Sequence, residues 1–562
     1  MTNERTFRER ATRGFAWNYL YKLTELGLMN LYTIVVVRHF GPEISAPYAV
    51  FTALCTTISI ICAFAVDGLL LRYIQRISVN EHSHGGNFTD IESFGLHRFL
   101  KTLFAFRILV VTVVSLLIII ALFILPYILP ILSQTFGSIR EFSPYMFVFL
   151  YAQAVIAFCT FSLIGLLETK LVFWASLVSR GLLLITGLIL VFEGSLSLHF
   201  AIGLFVASAV LNAGCLLYVF SGEVSRSSGK AVSKRFPFSS VMREMWNLIT
   251  GVRHIKLFLA TPIMLYGIIT WGSDILSTVL GRQPDILMMR GLLGEHSSEI
   301  GYYLSASLLL LVTEYIFLFG LGGTLVSIFS KLAHDDEKEA LIGRNRYPRL
   351  YSARKEIAGF QNVVLLPLCG YMMVFAPDVI RSIYGNKYDA AIPMLRIGLL
   401  ALAISVGLFG GGLQITSLIA IGKQRLVFRN RVCWGIVNII ANFFLIRSYG
   451  GLGAIIGTQF ANAFACGTES YFAYKIIGRS FNFLGTIRII AISCISVLGG
   501  YYLIRIMSMD SLYLSNVMIS ALFTGLTIAI LYAFFKIPEA KKVWQRMKGL
   551  FRQSNSKVFS SE

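Results

Sequence analysis

Long apolar blocks follow one another along almost the whole chain, separated by short polar connections. A helix rises about 1.5 Å per residue, so about 20 predominantly apolar residues cross the roughly 30 Å of bilayer hydrocarbon. On that measure the sequence predicts fourteen spans, at 15–37, 46–71, 103–126, 144–166, 171–193, 199–221, 262–289, 299–328, 358–380, 392–421, 428–447, 452–476, 486–507 and 514–535. All are expected to be helices, because a backbone exposed to lipid must satisfy its own hydrogen bonds. The fold class is therefore all-α, a polytopic membrane protein. The first two spans form a hairpin through Arg38-His39-Phe40-Gly41-Pro42-Glu43, and the first of them carries Lys22 and Glu25 well inside the apolar run. A charge at mid-membrane costs at least about 2.5–3.5 kcal/mol, so it normally faces a partner or a watery cavity. The hairpin reads as one wall of a polar cavity.

Composition agrees. The 562 residues are 56% hydrophobic and only 14% charged, against about 25% charged in soluble domains. Mean hydropathy is +0.71. Arginines precede the first apolar run, but that run is too long for a signal peptide core and no A-x-A-like site follows, so it reads as an uncleaved span. The eight cysteines all fall inside predicted spans without C-x-x-C pairing and are expected to be free thiols packed as small apolar groups.

The formal charge of +20 is unevenly placed. One set of connections is basic: the N-terminal tail, the 6–7 loop (Arg226 to Lys256), the 8–9 loop (Lys331 to Lys355), the 10–11 turn (Lys423, Arg425) and the C-terminal tail. The alternate set holds little beyond Arg38, Arg140, Arg290, Arg381, Lys387, Arg447 and Arg505. The positive-inside rule then places both termini in the cytoplasm. Topology and contact with anionic headgroups account for the net charge, and no nucleic-acid partner is expected. Within the 6–7 loop, Val241 to Leu257 has the pattern of a surface-lying amphipathic helix. Asn87-Phe88-Thr89 fits a glycosylation pattern but falls on the cytoplasmic side and is discounted.

A repeat lies behind the division at that loop. Val35-Val36-Val37-Arg38, Gly41, Glu43 and Tyr48 resemble Leu287-Met288-Met289-Arg290, Gly294, Glu295 and Tyr302. Spans 1–2 thus look like spans 7–8, which suggests a pseudo-two-fold along the membrane normal. Aligned on the two arginines, Lys22 matches Asp274.

Ionisable residues inside spans are the candidates for function. For Asp67, Arg72, Arg107, Arg180, Arg396 and Glu469 the favoured reading is a buried ion pair or an interfacial residue reaching to headgroups. For Lys22, Glu25, Asp274 and Glu314 it is a cavity role. Lys22 with Glu25, and Arg282 with Asp285, are spaced i, i+3 and each pair shares a helix face. The substrate-binding set is Lys22, Glu25, Arg72, Asp274, Arg282, Asp285 and Glu314. Mixed charge suits a ligand with anionic phosphate and many hydroxyls, because Arg and Lys pair with phosphate while carboxylates accept from sugars or carry a coupling cation. Gly407, Gly410, Gly411 and Gly412 are candidate hinge positions, or alternatively a close-packing patch. Asn438 and Asn442 share a face and are either interhelical glue or cavity lining. No H-e-x-x-H, P-loop or G-x-S-x-G motif occurs, so no catalytic residues, metal ligands or cofactor are assigned and the chain is not read as an enzyme.

Four stretches resemble a known family: RGFAWNYLYKL with VVVRHFGPEISAPYAVFTAL near the N-terminus, SIYGNKYDAAIPMLRIGLLAL (382–402), TSLIAIGKQR (416–425) and NIIANFFLIRSYGGLGAIIGT (438–458). In that order they resemble the Wzx-type polysaccharide-export (O-antigen) flippases of the multidrug/oligosaccharidyl-lipid/polysaccharide (MOP) superfamily. The resemblance runs from residue 13 to about 480. It implies two six-helix bundles facing across a central cleft lined by spans 1, 2, 7 and 8, and rocking between inward-open and outward-open states. The implied division is 1–221 and 262–480 for the bundles, 222–261 for a basic linker, 481–536 for two additional helices and 537–562 for a basic tail. The implied substrate is a polyprenyl-pyrophosphate-linked oligosaccharide moved to the outer leaflet of the plasma (inner) membrane, with the bilayer and glycan-assembly proteins as partners and a proton or sodium ion as the candidate coupling cation. Fourteen spans suit lipid II flippases and some Wzx-type members, whereas multidrug exporters usually have twelve. The alternative is a cation-coupled exporter of drugs or small molecules. A membrane-bound polymerase or ligase is disfavoured by the short outer loops. No invariant motif transfers from the family, so the site residues rest on the charge argument alone.

Overall fold

A computed structural model describes residues 2–70, 74, 96–124, 137–166, 168–227, 262–294, 296–318, 322–339, 347–478, 483–507 and 513–535. The described residues form helices and connections, with no strand among them. Ten described segments are long and apolar enough to cross a membrane, and two of these are double length. Arg72, Asn87, Glu295, the stretch 241–257 and the tail 537–562 lie outside the described residues. The chain divides into two compact units, Met1–Gly301 and Tyr302–Glu562.

The first unit begins with α1 (Thr2–Ala63), which contains two arms meeting at Gly41. It continues with α2 (Leu96–Ile119), α3 (Gly137–Gly165), α4 (Thr169–Phe192), α5 (Leu198–Ser227), α6 (Pro262–Val279) and α7 (Arg282–Leu293). The first arm of α1 packs along α4, where Gly187 leaves room for the Tyr32 ring; a Cβ there would stand 2.7 Å from it. That fit lets the Tyr32 hydroxyl donate to the Ala201 carbonyl of α5 at 2.7 Å. Phe149 stacks on Phe205 at 5.1 Å, and Phe158 bridges Phe104 and Phe220. Aromatic pairs of this kind contribute about 0.5–1.5 kcal/mol beyond their buried area.

The second unit holds the rest of α8 (Ser298–Leu318), then α9 (Gly322–Glu339), α10 (Pro348–Val374), the short α11 (Ala376–Tyr384), α12 (Ala391–Gly407), α13 (Gly412–Ala420), the hairpin α14 (Gln424–Ile477), α15 (Phe483–Met507) and α16 (Tyr513–Phe534). The final pair is bound to α10 by side chains: Tyr371 donates to the Val517 carbonyl at 2.6 Å and Tyr532 to the Val363 carbonyl at 3.0 Å. Leu514, Met518, Leu522, Leu526 and Ile530 form an exposed i, i+4 stripe on α16, the pattern of a lipid-facing surface.

Several predicted spans differ in detail. The seventh, expected as a continuous 262–289, breaks into α6 and α7 at Gly281, whose backbone is extended, with Pro284 in the following first turn; proline lacks the amide that would have continued the helix. The eighth covers α8 and the start of α9, with 319–321 outside the described residues. The ninth starts earlier, at Pro348, with proline at the first turn. The tenth breaks between α12 and α13, where Gly410 (φ +77°) and Gly411 (φ +51°) take a left-handed backbone open to glycine. The proposed repeat has a local counterpart in backbone geometry: Gly41 (φ +80°, ψ 176°) follows Arg38, and Gly294 (φ +96°, ψ 165°) follows Arg290.

The α14 hairpin settles the role of its asparagines. Asn442 donates to Asn438 Oδ1 at 3.2 Å and to Thr458 Oγ1 at 2.9 Å, and Thr458 donates to Asn438 Oδ1 at 3.1 Å. All three are buried between the two arms, so they are interhelical glue. Replacing Asn442 by Leu removes two buried hydrogen bonds and leaves the one between Thr458 and Asn438, at about 0.5–1.5 kcal/mol for each bond lost. Thermal unfolding in detergent is expected to show a midpoint several degrees lower for Asn442→Leu, with much of the loss recovered when Asn438 and Thr458 are also made apolar.

Candidate functional site

Inside the first unit lies a cavity of about 300 Å³. Its walls come from the second arm of α1, the helical stretch 66–70, α2, α3 and α6. The charged lining residues are Asp67, Arg107 and Asp274; Ser59, Gln153, Thr270 and Thr278 add polar groups and Trp271 an aromatic face.

Local sequence explains this opening. Small residues face each other across the α1–α6 contact: a Cβ on Gly267 would lie 2.7 Å from the Ala65 methyl, and one on Gly68 would lie 3.3 Å from Thr270. Close approach brings Trp271 to the end of α1, where its Nε1 donates to the Ile60 carbonyl at 3.1 Å and its ring meets Phe64 at 4.5 Å. The second span turns at this point through Phe64 (φ +26°) and Ala65 (φ +70°), neither of them glycine. Such residues cost on the order of 1–3 kcal/mol each and gather at functional sites.

The three charges are not equivalent. Arg107 is almost wholly buried and paired with Asp67, which reaches into the cavity from the opposite wall. Asp274 is exposed to the cavity. Among the described residues no side chain pairs with it, and it is close enough to Asp67 for mutual repulsion.

The other predicted residues fall elsewhere. Lys22 and Glu25 pair with each other at 2.9 Å and do not line this cavity, so the structure does not bring Lys22 to Asp274. Arg180 of α4 is buried, donates to Ser208 at 3.0 Å and lies within electrostatic reach of Glu25. Arg282 and Asp285 stand in the first turn of α7; Asp285 is fully buried, where the helix dipole favours a carboxylate. Glu314 belongs to the second unit, within reach of Arg431. Arg431 itself grips Glu469 through two nitrogens, at 2.9 and 3.3 Å, and Asn430 joins them. Glu469 is thus a structural ion-pair partner, as its favoured reading had it. Gly407 to Gly412 sit at the break between α12 and α13, where Asn362 of α10 donates to the Gly407 carbonyl at 3.2 Å and Gln414 to the Phe409 carbonyl at 2.9 Å.

Sequence reasoning missed Trp271, Gln153 and Arg431. A GxxxW spacing, Gly267 to Trp271, was the available signal for the first, and position inside the predicted span 428–447 was the signal for Arg431; Gln153 carries none without its partners.

Comparisons with known proteins place this arrangement. No protein-family model and no curated protein sequence matches the chain. Solved structures do. "Lipid II flippase MurJ, inward closed conformation" aligns at TM-score 0.60 and 14% identity, covering 92% of this chain and 99% of that one. A MATE structure described as being in the bent conformation aligns at TM-score 0.52 and 13% identity, covering 83% and 95%. A MOP superfamily transporter from Pyrococcus furiosus, described as having a binding pocket of reverse polarity, aligns at TM-score 0.51 and 15% identity, also covering 83% and 95%. The chain shares the fold of these solved structures. At these identities the likeness concerns fold, and it covers a multi-pass membrane chain over nearly its whole length.

Outside the spans, Arg381 holds Asp389 in a two-point contact at 2.9 Å for each bond, which keeps the Asp389 carboxyl below its ordinary range. A depressed carboxyl stabilises the fold above its unfolded value and loses that contribution as pH falls through the folded value, so the window lies below about pH 4. Both groups are substantially exposed and the effect is small; unfolding midpoints of Asp389→Asn and the parent are expected to converge at acid pH.

Within the cavity, Asp67→Asn leaves the buried Arg107 without its counter-charge and is expected to lower the unfolding midpoint strongly, by about 3–5 kcal/mol of stability. Asp274→Asn removes no partner and is expected to leave the midpoint near that of the parent.

Proposed function

We propose that this chain is a flippase that moves a polyprenyl-pyrophosphate-linked oligosaccharide from the cytoplasmic to the outer leaflet of the plasma (inner) membrane, with both termini cytoplasmic. The observation that carries this reading is coverage. The likeness to the lipid II flippase takes in 92% of the chain, against 83% for the MATE structures. The difference, about 50 of 562 residues, is the length of α15 plus α16. The implied bundles, 1–221 and 262–480, would rock about a central cleft, with Gly407, Gly410, Gly411 and Gly412 as the bending point.

The charged groups divide the headgroup between them. Lys22, Arg180 and Arg282 outnumber Glu25 and Asp285 along α1, α4 and α7, and this side suits the pyrophosphate. The Asp67–Asp274 cavity has the opposite sign and suits the sugars. Arg72 and Glu314 remain part of the proposed cleft lining, and a glycan-assembly complex is the expected partner. The second reading is cation-coupled export of a small molecule. Asp274, with which no side chain among the described residues pairs, favours it, since a carboxylate in a cavity is a place for a proton or sodium ion.

Purified protein in liposomes, with lipid-linked oligosaccharide loaded in one leaflet, decides between them. Arrival at the other leaflet is scored by glycosidase access, with and without a proton or sodium gradient. Protein-dependent movement is expected. Lys22→Ala and Asp274→Asn are expected to slow it about tenfold or more at unchanged protein abundance, on the scale of a lost charge-assisted contact. No movement under any gradient would transfer the assignment to the small-molecule exporter.

A further inference from the structure

The Asp67–Asp274 cavity is built from hydrogen-bond acceptors. Ser59 spends its proton on the Cys55 carbonyl at 2.7 Å and Thr278 on the Asp274 carbonyl at 2.9 Å, so both hydroxyls turn lone pairs outward. The Trp271 N–H is committed to Ile60 and the ring meets Phe64, so what Trp271 offers the cavity it lines is aromatic surface, not its donor. Arg107 gives Nη1 to Asp67 and is itself almost wholly buried, so little of its remaining donor capacity faces the opening. Among the described lining residues, Gln153 supplies an amide donor and Thr270 a third hydroxyl, set against two carboxylates and the two hydroxyl acceptors of Ser59 and Thr278.

Charge points the same way. Asp67 and Asp274 against Arg107 leave the lining one negative charge in excess. A phosphate would be repelled. A neutral sugar would leave Asp274 facing Asp67 with no counter-charge. An ammonium group brings three donors and one positive charge, pairs with Asp274 and lies against the Trp271 face, the best aromatic partner for a cation. A divalent metal is a poorer fit, because no group of three His, Cys, Asp or Glu side chains suited to a metal occurs among the described residues. The volume, about 300 Å³, is at the low end of the roughly 300–1,000 Å³ of small-molecule sites. It has room for one sugar ring, not a chain of them.

We infer that this cavity is a recognition site for an amine-bearing sugar, with Asp274 taking the ammonium group and Trp271 the face of the ring. The source of that sugar, a residue of the transported glycan, rests on the flippase reading; the binding chemistry does not.

The test uses the full chain in nanodiscs and two soluble probes, methyl β-glucosaminide and its N-acetylated counterpart, at matched ionic strength. Saturation-transfer NMR and tryptophan fluorescence report binding. The free amine is expected to bind at least about tenfold more tightly than the N-acetyl form, and Asp274→Asn is expected to abolish that preference while the protein keeps its unfolding midpoint. Equal binding of the two probes would overturn the inference, as would a preference that survives Asp274→Asn. Full displacement of the amine by sodium ions at equal concentration would overturn it too, leaving an inorganic cation site only. In parallel, lipid-linked glycan before and after chemical N-acetylation is offered to proteoliposomes. If neither form moves, the flippase reading fails while the binding result stands; if both move and the soluble amine does not bind, the inference fails and the flippase stands.

Discussion

In hydrocarbon a helix that breaks must find new partners for the carbonyls it frees, and that requirement governs where this chain bends. At the gap between α12 and α13, the Gly407 and Phe409 carbonyls are met by Asn362 and Gln414. Asn362 also reaches Thr486 of α15, and Gln414 is held by the buried Arg354. The bend is therefore not a loose joint. It is laced laterally to α10 and α15, so any change in its angle is felt by the final helix pair. The helix ends at Gly41, Gly294, Gly385 and Gly450 share another feature: each has an arginine three or four residues before it, at Arg38, Arg290, Arg381 and Arg447, where a cation complements the negative end of the helix dipole.

Polar groups inside the spans obey a parallel rule. Most are committed to a neighbour: Lys22 to Glu25, Arg107 to Asp67, Arg431 to Glu469, Arg180 to Ser208. Commitment is what allows a charge to remain in a span. Against that background Asp274 is distinguished by chemistry and position together. It faces a cavity, has a second carboxylate near it, and stands beside an aromatic ring already pinned by its N–H.

Much of this is legible in the sequence. Hydropathy alone placed the membrane segments, because crossing lipid is a requirement on length and composition that acts on each stretch independently. The acidic and basic residues within spans marked themselves by rarity. What could not be read was pairing. Asp67 and Arg107 are 40 residues apart, and Arg431 and Glu469 are 38 apart; which cation finds which carboxylate is decided by packing. Asn438 and Asn442 were ambiguous until Thr458, on the other arm, gave them a shared partner. The turn at Phe64–Ala65 left no mark at all, since neither residue prefers a left-handed backbone and only the surrounding helices impose it. Lys22 and Asp274, matched by a plausible alignment, are served by different surroundings.

The clasp inside α14 has a consequence for descent. Asn438, Asn442 and Thr458 are hydrogen-bonded to one another in a triangle, and Asn430, Arg431, Thr468 and Glu469 form a chain of contacts nearer the hairpin's open end. A single change takes hydrogen bonds from buried neighbours, most severely at Glu469, whose loss leaves the buried Arg431 without its counter-charge. These positions can drift only in company, through compensated pairs or wholesale conversion to an apolar seam. Lineages of this fold would inherit the hairpin as a block, while the surrounding lipid-facing leucines and isoleucines exchange freely, one at a time.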